Sequence, residues 1–201
     1  SIGPLGLKIE PLGPTSVEEA EEAFREQAQA LLEGGVDFFI LETFFDLNEI
    51  HQAIKAVQKL GQDFPFIAEM TIEESGNSLY GTTPEVFTKK LEEYKAPVIG
   101  VNCSVGPAHM LQCIEKMAQV TSLPLSAMPN AGVPREVEGR NIYLCSPEYM
   151  AEYAKRFILN GVKIVGGCCG TTPAHIKAIR NAIKALQPPK RERIQIILPA
   201  E

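Results

Sequence analysis

Val162-Lys163-Ile164-Val165-Gly166-Gly167-Cys168-Cys169-Gly170-Thr171-Thr172-Pro173 is the stretch on which the fold turns. An apolar run rich in β-branched residues breaks at two glycines, and a hydroxyl residue then stands directly before a proline. A hydroxyl N-cap with proline at the first helical position is a specific helix start, because the N–H that proline lacks has no partner there anyway. Ile176, Ile179, Ile183 and Leu186 continue at helical spacing. The stretch reads as strand, loop, helix.

The same grammar recurs along the chain. Apolar runs lie at Val36–Phe44, Pro65–Ile72, Ala96–Cys103 and Leu123–Met128, most of them nearly continuous, as strands covered on both faces are. Val17, Ala20, Phe24, Ala28 and Leu31 form a helical stripe that Gly34-Gly35 ends, and Leu47, Ile50, Ile54 and Val57 form another. Thr83-Pro84 and Ser146-Pro147 repeat the helix-start device. Strand starts recur roughly every 30 residues, the length of a βα unit, and such units build parallel sheets. With Ser1–Pro4 taken as the end of one more strand, the chain holds six units. Two architectures suit that count: an open doubly-wound sheet, or a (β/α)8 TIM barrel lacking its first two βα units. The barrel is the expectation. It implies a functional polypeptide longer at its N-terminus by roughly 60 residues or more. Residues 1–187 are expected to be the barrel domain. Residues 188–201, with Pro188-Pro189, the basic Lys190–Arg193 and the apolar Ile194–Leu198, read as a linker or a lead into a further domain.

Composition narrows the function. The 201 residues, 45% hydrophobic and 22% charged, suit one globular domain. Nineteen Lys and Arg against 25 Asp and Glu give a net charge of -6, which removes the electrostatic basis for a nucleic-acid partner. No apolar run approaches the roughly 20 residues of a membrane span, and no signal peptide is visible. Five cysteines, two of them adjacent, are a poor disulfide framework and suit a reduced, cytoplasmic chain.

Cys103 ends one strand run, and Cys168 and Cys169 end another. Ligand sites in parallel sheets are built at strand C-termini. Three thiolates without a fourth protein ligand make a zinc site with an open position, the catalytic pattern. The competing reading, small buried hydrophobes at tight strand ends, suits Cys113, which shares a helical face with Met110 and Met117, and Cys145. For Cys103, Cys168 and Cys169 metal is favoured. His51 reads as solvated. His109 and His175 lie near the site, but three sulfurs already suffice.

Gly100-Val101-Asn102-Cys103-Ser104 and Gly166-Gly167-Cys168-Cys169-Gly170-Thr171-Thr172-Pro173 resemble the zinc signature of the homocysteine S-methyltransferase family. That family includes the homocysteine-binding domain of cobalamin-dependent methionine synthase and betaine–homocysteine methyltransferase. The resemblance reaches to about Leu186 and implies a barrel that binds Zn2+ through Cys103, Cys168 and Cys169. It implies methyl transfer to the thiol of homocysteine, forming methionine. Leu41-Glu42-Thr43-Phe44 matches a strand end whose glutamate takes the substrate amino group, and Pro129-Asn130-Ala131-Gly132 matches a turn at the barrel mouth. Glu42, Asn102 and Asn130 are thus the expected substrate-binding residues.

The family's first two strands are absent from this sequence. Ile67–Thr71 and Leu79–Pro84 look most like bacterial proteins in which this domain precedes a methylenetetrahydrofolate reductase domain. The methyl donor, a methylcorrinoid, methyltetrahydrofolate, betaine or a methylsulfonium, stays open. A cationic donor would want an aromatic cage, for which Phe44, Tyr80 and Tyr143 are candidates. Two alternatives stand beside this reading: a phosphate-ligand barrel using the glycine-rich loop Gly166–Pro173 at a helix N-terminus, and a non-catalytic zinc-binding fragment.

Overall fold

The structure is a computed structural model that describes residues 1–61 and 64–191. The apolar piece Ile194–Leu198 and most of the expected linker lie outside the described residues. Five parallel strands, β1 (Phe39–Phe44), β2 (Phe66–Met70), β3 (Val98–Asn102), β4 (Leu125–Met128) and β7 (Val162–Val165), stand side by side in chain order. Ile2 extends the row with a parallel bridge to Leu41. A doubly-wound sheet reverses its strand order midway; this one never does. Every right-handed crossover therefore lays its helix on the same face.

The helices are α1 (Val17–Glu33), α2 (Leu47–Leu60), α3 (Pro84–Glu93), α4 (Pro107–Val120), α5 (Pro147–Leu159) and α6 (Pro173–Ile183), and each packs on the next. The result is an arc of a (β/α)8 barrel. Among the described residues, the outer sides of Ile2 and β7 pair with no further strand.

Local chemistry sets the element ends. Ser16 and Glu19 close a reciprocal capping box on α1, and Gly34 caps its C-terminus. Thr83 and Ser146 accept the N–H of Val86 and Tyr149 at the starts of α3 and α5. Three helix starts lack the hydroxyl–proline pair: Ser16 precedes Val17 of α1, Asp46 caps α2, and Gly106 precedes Pro107 of α4.

Register fixes the two faces of the sheet. Leu41, Ala68, Ile99 and Leu125 align and are fully buried in the core with the helices. Alternation along each strand turns Glu42, Glu69, Gly100 and Ser126 to the opposite, inner face. The last helix departs from its expected stripe: Ile176 is 45% exposed, while His175 and Ile179 face inward. A hairpin that sequence periodicity missed, β5 (Arg135–Val137) with β6 (Arg140–Ile142), stands between β4 and α5. All six of its strand residues are exposed, so no apolar alternation marked it. Among the described residues no helix is long and apolar enough to cross a membrane.

Candidate metal centre

Cys103 follows β3 directly, and Cys168 and Cys169 lie in the loop between β7 and α6. Parallel neighbours end at the same rim, which is why thiols 65 and 66 positions apart in sequence meet. Their Sγ atoms lie within 4.8 Å of one another, and among the described residues no other such cluster forms. The Cys103–Cys169 and Cys168–Cys169 separations are 3.7 and 3.9 Å. A tetrahedral ion with metal–sulfur bonds of about 2.3 Å requires sulfur–sulfur edges of about 3.8 Å. The donor set fits zinc in charge, softness and spacing.

Backbone geometry holds the sulfurs there. Cys103 and Ser104 take the left-handed φ values 60° and 61°, which turn the chain sharply off the strand end. The exit of β4, which carries no thiol, clips both loops together. Cys103 N–H donates to Met128 O (3.1 Å), Cys168 N–H to Pro129 O (2.9 Å), and Ala131 N–H to Cys169 O (2.9 Å). Asn130 donates its own N–H to Val105 O and accepts the Cys169 N–H on Oδ1 at 3.0 Å. Gly170, at φ 78°, lies under Tyr143, whose Cγ would be 2.2 Å from any added Cβ.

The thiols share protons unequally. Donation from the Cys168 thiol, helped by the Ser104 backbone, lowers Cys103 to about 5, and the Cys168 thiol is pushed up in turn. The cluster holds thiolate character without a base beside it.

The second half of the site is a side-chain network. Glu42 sits near the end of β1, and its neighbour Thr43 has φ 67°. Asn102, fully buried on β3, accepts the Thr43 N–H at 2.8 Å and donates to Thr43 Oγ1 (3.0 Å) and Glu42 Oε2 (3.3 Å). Thr71 Oγ1 donates to Asn102 O at 3.1 Å, and Ser1 Oγ donates to Glu42 Oε1. Asn102 thus ties the carboxylate strand to the thiol strand. Thr43 and Thr71 were not singled out from sequence, since threonines in a strand carry no signal of such a tie.

The remaining candidates separate cleanly. Cys113 is buried on α4 among Met110 and Met117, and burial pushes its thiol up. Cys145 is half-buried and also raised by burial. His109 is exposed on α4. His175 is structural: Nδ1 accepts the Thr172 N–H at 3.1 Å, so Nε2 carries the hydrogen it donates to Cys145 O at 2.9 Å. His51, expected in solvent, is half-buried and stacks on Tyr94 with centroids 3.7 Å apart and planes 4° from parallel. Burial lowers its pKa. Phe44 is fully buried and packs on Phe24 at 5.8 Å, so it cannot line a cage for a cationic donor. The amides of Cys168, Cys169, Thr171 and Thr172 are all spent inside the protein, which takes four donors of the glycine-rich loop away from any anion.

The chain is similar to known proteins over most of its length. The homocysteine S-methyltransferase family model matches residues 1–183. Methionine synthase of Mycobacterium tuberculosis is 34% identical over 197 residues, which cover 96% of this chain and 16% of that protein. Methionine synthase of Mycobacterium leprae is 34% identical over 188 residues, covering 91% and 16%. The chain therefore spans about a sixth of the curated relatives it matches. The apo form of the homocysteine methyltransferase MmuM from Escherichia coli superposes with a TM-score of 0.72 at 25% identity, covering 90% of this chain and 61% of that one. Its metallated form gives 0.69 over 84% and 52%. Three thiols at one barrel rim, a carboxylate strand end beside them and a match that runs through both cysteine loops lead to one assignment: the chain belongs to the homocysteine S-methyltransferase family.

Proposed function

We propose that residues 1–187 are the homocysteine-binding part of an enzyme that transfers a methyl group to the homocysteine thiol, giving methionine. The observation that carries this reading is the cluster of Cys103, Cys168 and Cys169 at tetrahedral spacing on the rim that also holds Glu42. Free alkyl thiols are mostly protonated at neutral pH, and only the thiolate is a good nucleophile. Zinc held by the three cysteines would supply the positive charge that keeps a substrate thiol ionised.

The chain's own residues do the rest. Cys103, Cys168 and Cys169 are the catalytic thiols and leave one tetrahedral corner open. Glu42 takes the substrate ammonium by a charge-assisted hydrogen bond. Asn102, with its amide spent on Glu42 and Thr43, holds that carboxylate at a fixed distance from the thiols. Asn130 steadies Cys169 through its N–H. Fixing the amino acid at both ends aims its sulfur at an incoming methyl group.

The donor is read as a methylcorrinoid or methyltetrahydrofolate brought by another domain, in keeping with methionine synthase relatives much longer than this chain. A following reductase domain and a cytoplasmic, reduced setting complete the reading. The test joins elemental analysis to calorimetry. One zinc per chain and zinc-dependent homocysteine binding are expected. Zinc without homocysteine binding would leave a non-catalytic zinc protein, and phosphate binding without zinc would revive the anion-binding barrel.

A further inference from the structure

Glu69 is a carboxylate with no task in the reading above. It is the fourth residue of β2, fully buried on the inner face of the sheet. Its register row is Glu69 on β2, Gly100 on β3 and Ser126 on β4. Ser126 Oγ donates to Glu69 Oε1 at 2.6 Å, so the bond crosses the whole of β3. It can do so because residue 100 has no side chain: a Cβ there would lie 2.5 Å from Ser126 O and 2.7 Å from Ser126 Cβ. Glu69 Oε2 is buried and meets no partner.

Glu42 follows Leu41, whose register partner is Ala68, so the two carboxylates leave neighbouring strands on one face. Glu42 is the charged group whose field reaches Glu69, and its hydrogen-bond partner Ser126 is neutral. Burial first, and the Glu42 charge after it, raise Glu69 to about 7 against the pull of Ser126. Two adjacent carboxylates in a dry site do not both ionise readily, and the more buried one keeps the proton. With Oε1 accepting from Ser126, that proton belongs on Oε2.

We propose that Glu69 is a positioning residue of the amino-acid site: it stays a neutral acid beside ionised Glu42 and gives its proton to solvent when a cationic ammonium docks on Glu42. This rests on the reading of Glu42 as the ammonium acceptor. The O–H bond of Glu69 breaks, its electrons stay on the carboxylate, and the site gains a second negative charge only when a cation is there to balance it. Free amino acids then gain an advantage over N-acylated ones, which carry no ammonium.

The test uses the full-length protein with 13C-labelled glutamate and L-methionine as probe, because a thioether has no proton of its own to lose. In the ligand-free protein the Glu69 carboxyl should titrate near neutrality, and Glu42→Gln should move that midpoint down. L-methionine binding near pH 7 should release protons from the wild type but not from Glu69→Gln. Its affinity should tighten with pH by up to about tenfold for each unit by which docking lowers the midpoint, and stay flat in Glu69→Gln. A midpoint indifferent to Glu42→Gln, or a pH-dependent affinity that survives Glu69→Gln, overturns the proposal while leaving the amino-acid site standing. Coupled carboxylates with no binding of L-methionine or homocysteine would sink the amino-acid reading, and the proton release with it.

Discussion

The two halves of the rim are held in different ways. The thiols are placed mostly by main-chain hydrogen bonds with Met128, Pro129 and Ala131, to which the Asn130 side chain adds its bond to the Cys169 N–H. The carboxylate half is placed by side chains, with Asn102 bonded to Thr43 and Glu42, and Ser126 to Glu69. A metal with short, fixed bonds tolerates little error in its ligands, which suits placement by backbone. An ammonium needs charge and a direction, and those can be tuned by neighbours. The contrast implies that the two halves can be damaged separately.

The largest effect expected is on metal. Cys103→Ala or Cys168→Ser should abolish stoichiometric zinc, read by elemental analysis. Full zinc in either variant would break the division at its stronger side.

The next effect concerns stability against pH. The folded pKa of Glu69, about 7, lies above its ordinary 4.5. The native state therefore binds the proton more tightly than the unfolded state does. Stability present below pH 4.5 is lost as pH rises through 7, by up to about 3 kcal/mol for the full shift. Denaturant titrations at pH 5 and pH 8 should show Glu69→Gln flattening that loss. An unchanged slope would place the loss elsewhere.

Glu42→Gln should weaken homocysteine binding by about 10- to 100-fold, the range of a lost charge-assisted hydrogen bond, with zinc content intact. Calorimetry on the zinc-loaded variant measures it, and a loss of zinc instead would show the two halves to be one unit. The smallest effect belongs to Cys113→Ala. A modest cavity in α4 should cost about 1 kcal/mol in thermal unfolding and no zinc.

The order of the strands could be read from sequence because each βα unit announces itself locally. Continuous apolar runs need no partner to be recognised, and Thr83-Pro84, Ser146-Pro147 and Thr172-Pro173 start helices by their own chemistry. Cys103, Cys168 and Cys169 were legible because strand ends in such a sheet share a rim. Asn102 was singled out as a substrate contact, and its sequence neighbours gave no hint that its amide is consumed inside the protein. Glu69 was hidden in the run Pro65–Ile72, where one carboxylate looks like noise until Gly100 and Ser126 are seen beside it. His51 looked solvated because Tyr94, which covers it, comes from the next helix. What escaped in each case was a contact between distant segments.

The clip at the end of β4 has a dynamic consequence. The amides of Cys103 and Cys168 close on Met128 and Pro129, while Ala131 closes on Cys169 and Asn130 on Val105. Both thiol loops pull on one short segment when they open: the Cys103 loop on Met128 and Asn130, and the Cys168–Cys169 loop on Pro129, Asn130 and Ala131. These amides should then exchange with deuterium as one cooperative unit, at one rate and with one dependence on denaturant, even though β3 and β7 sit on opposite sides of β4. A rim that breathes as a whole would admit or release a bound ion in a single event and would not let one sulfur go at a time.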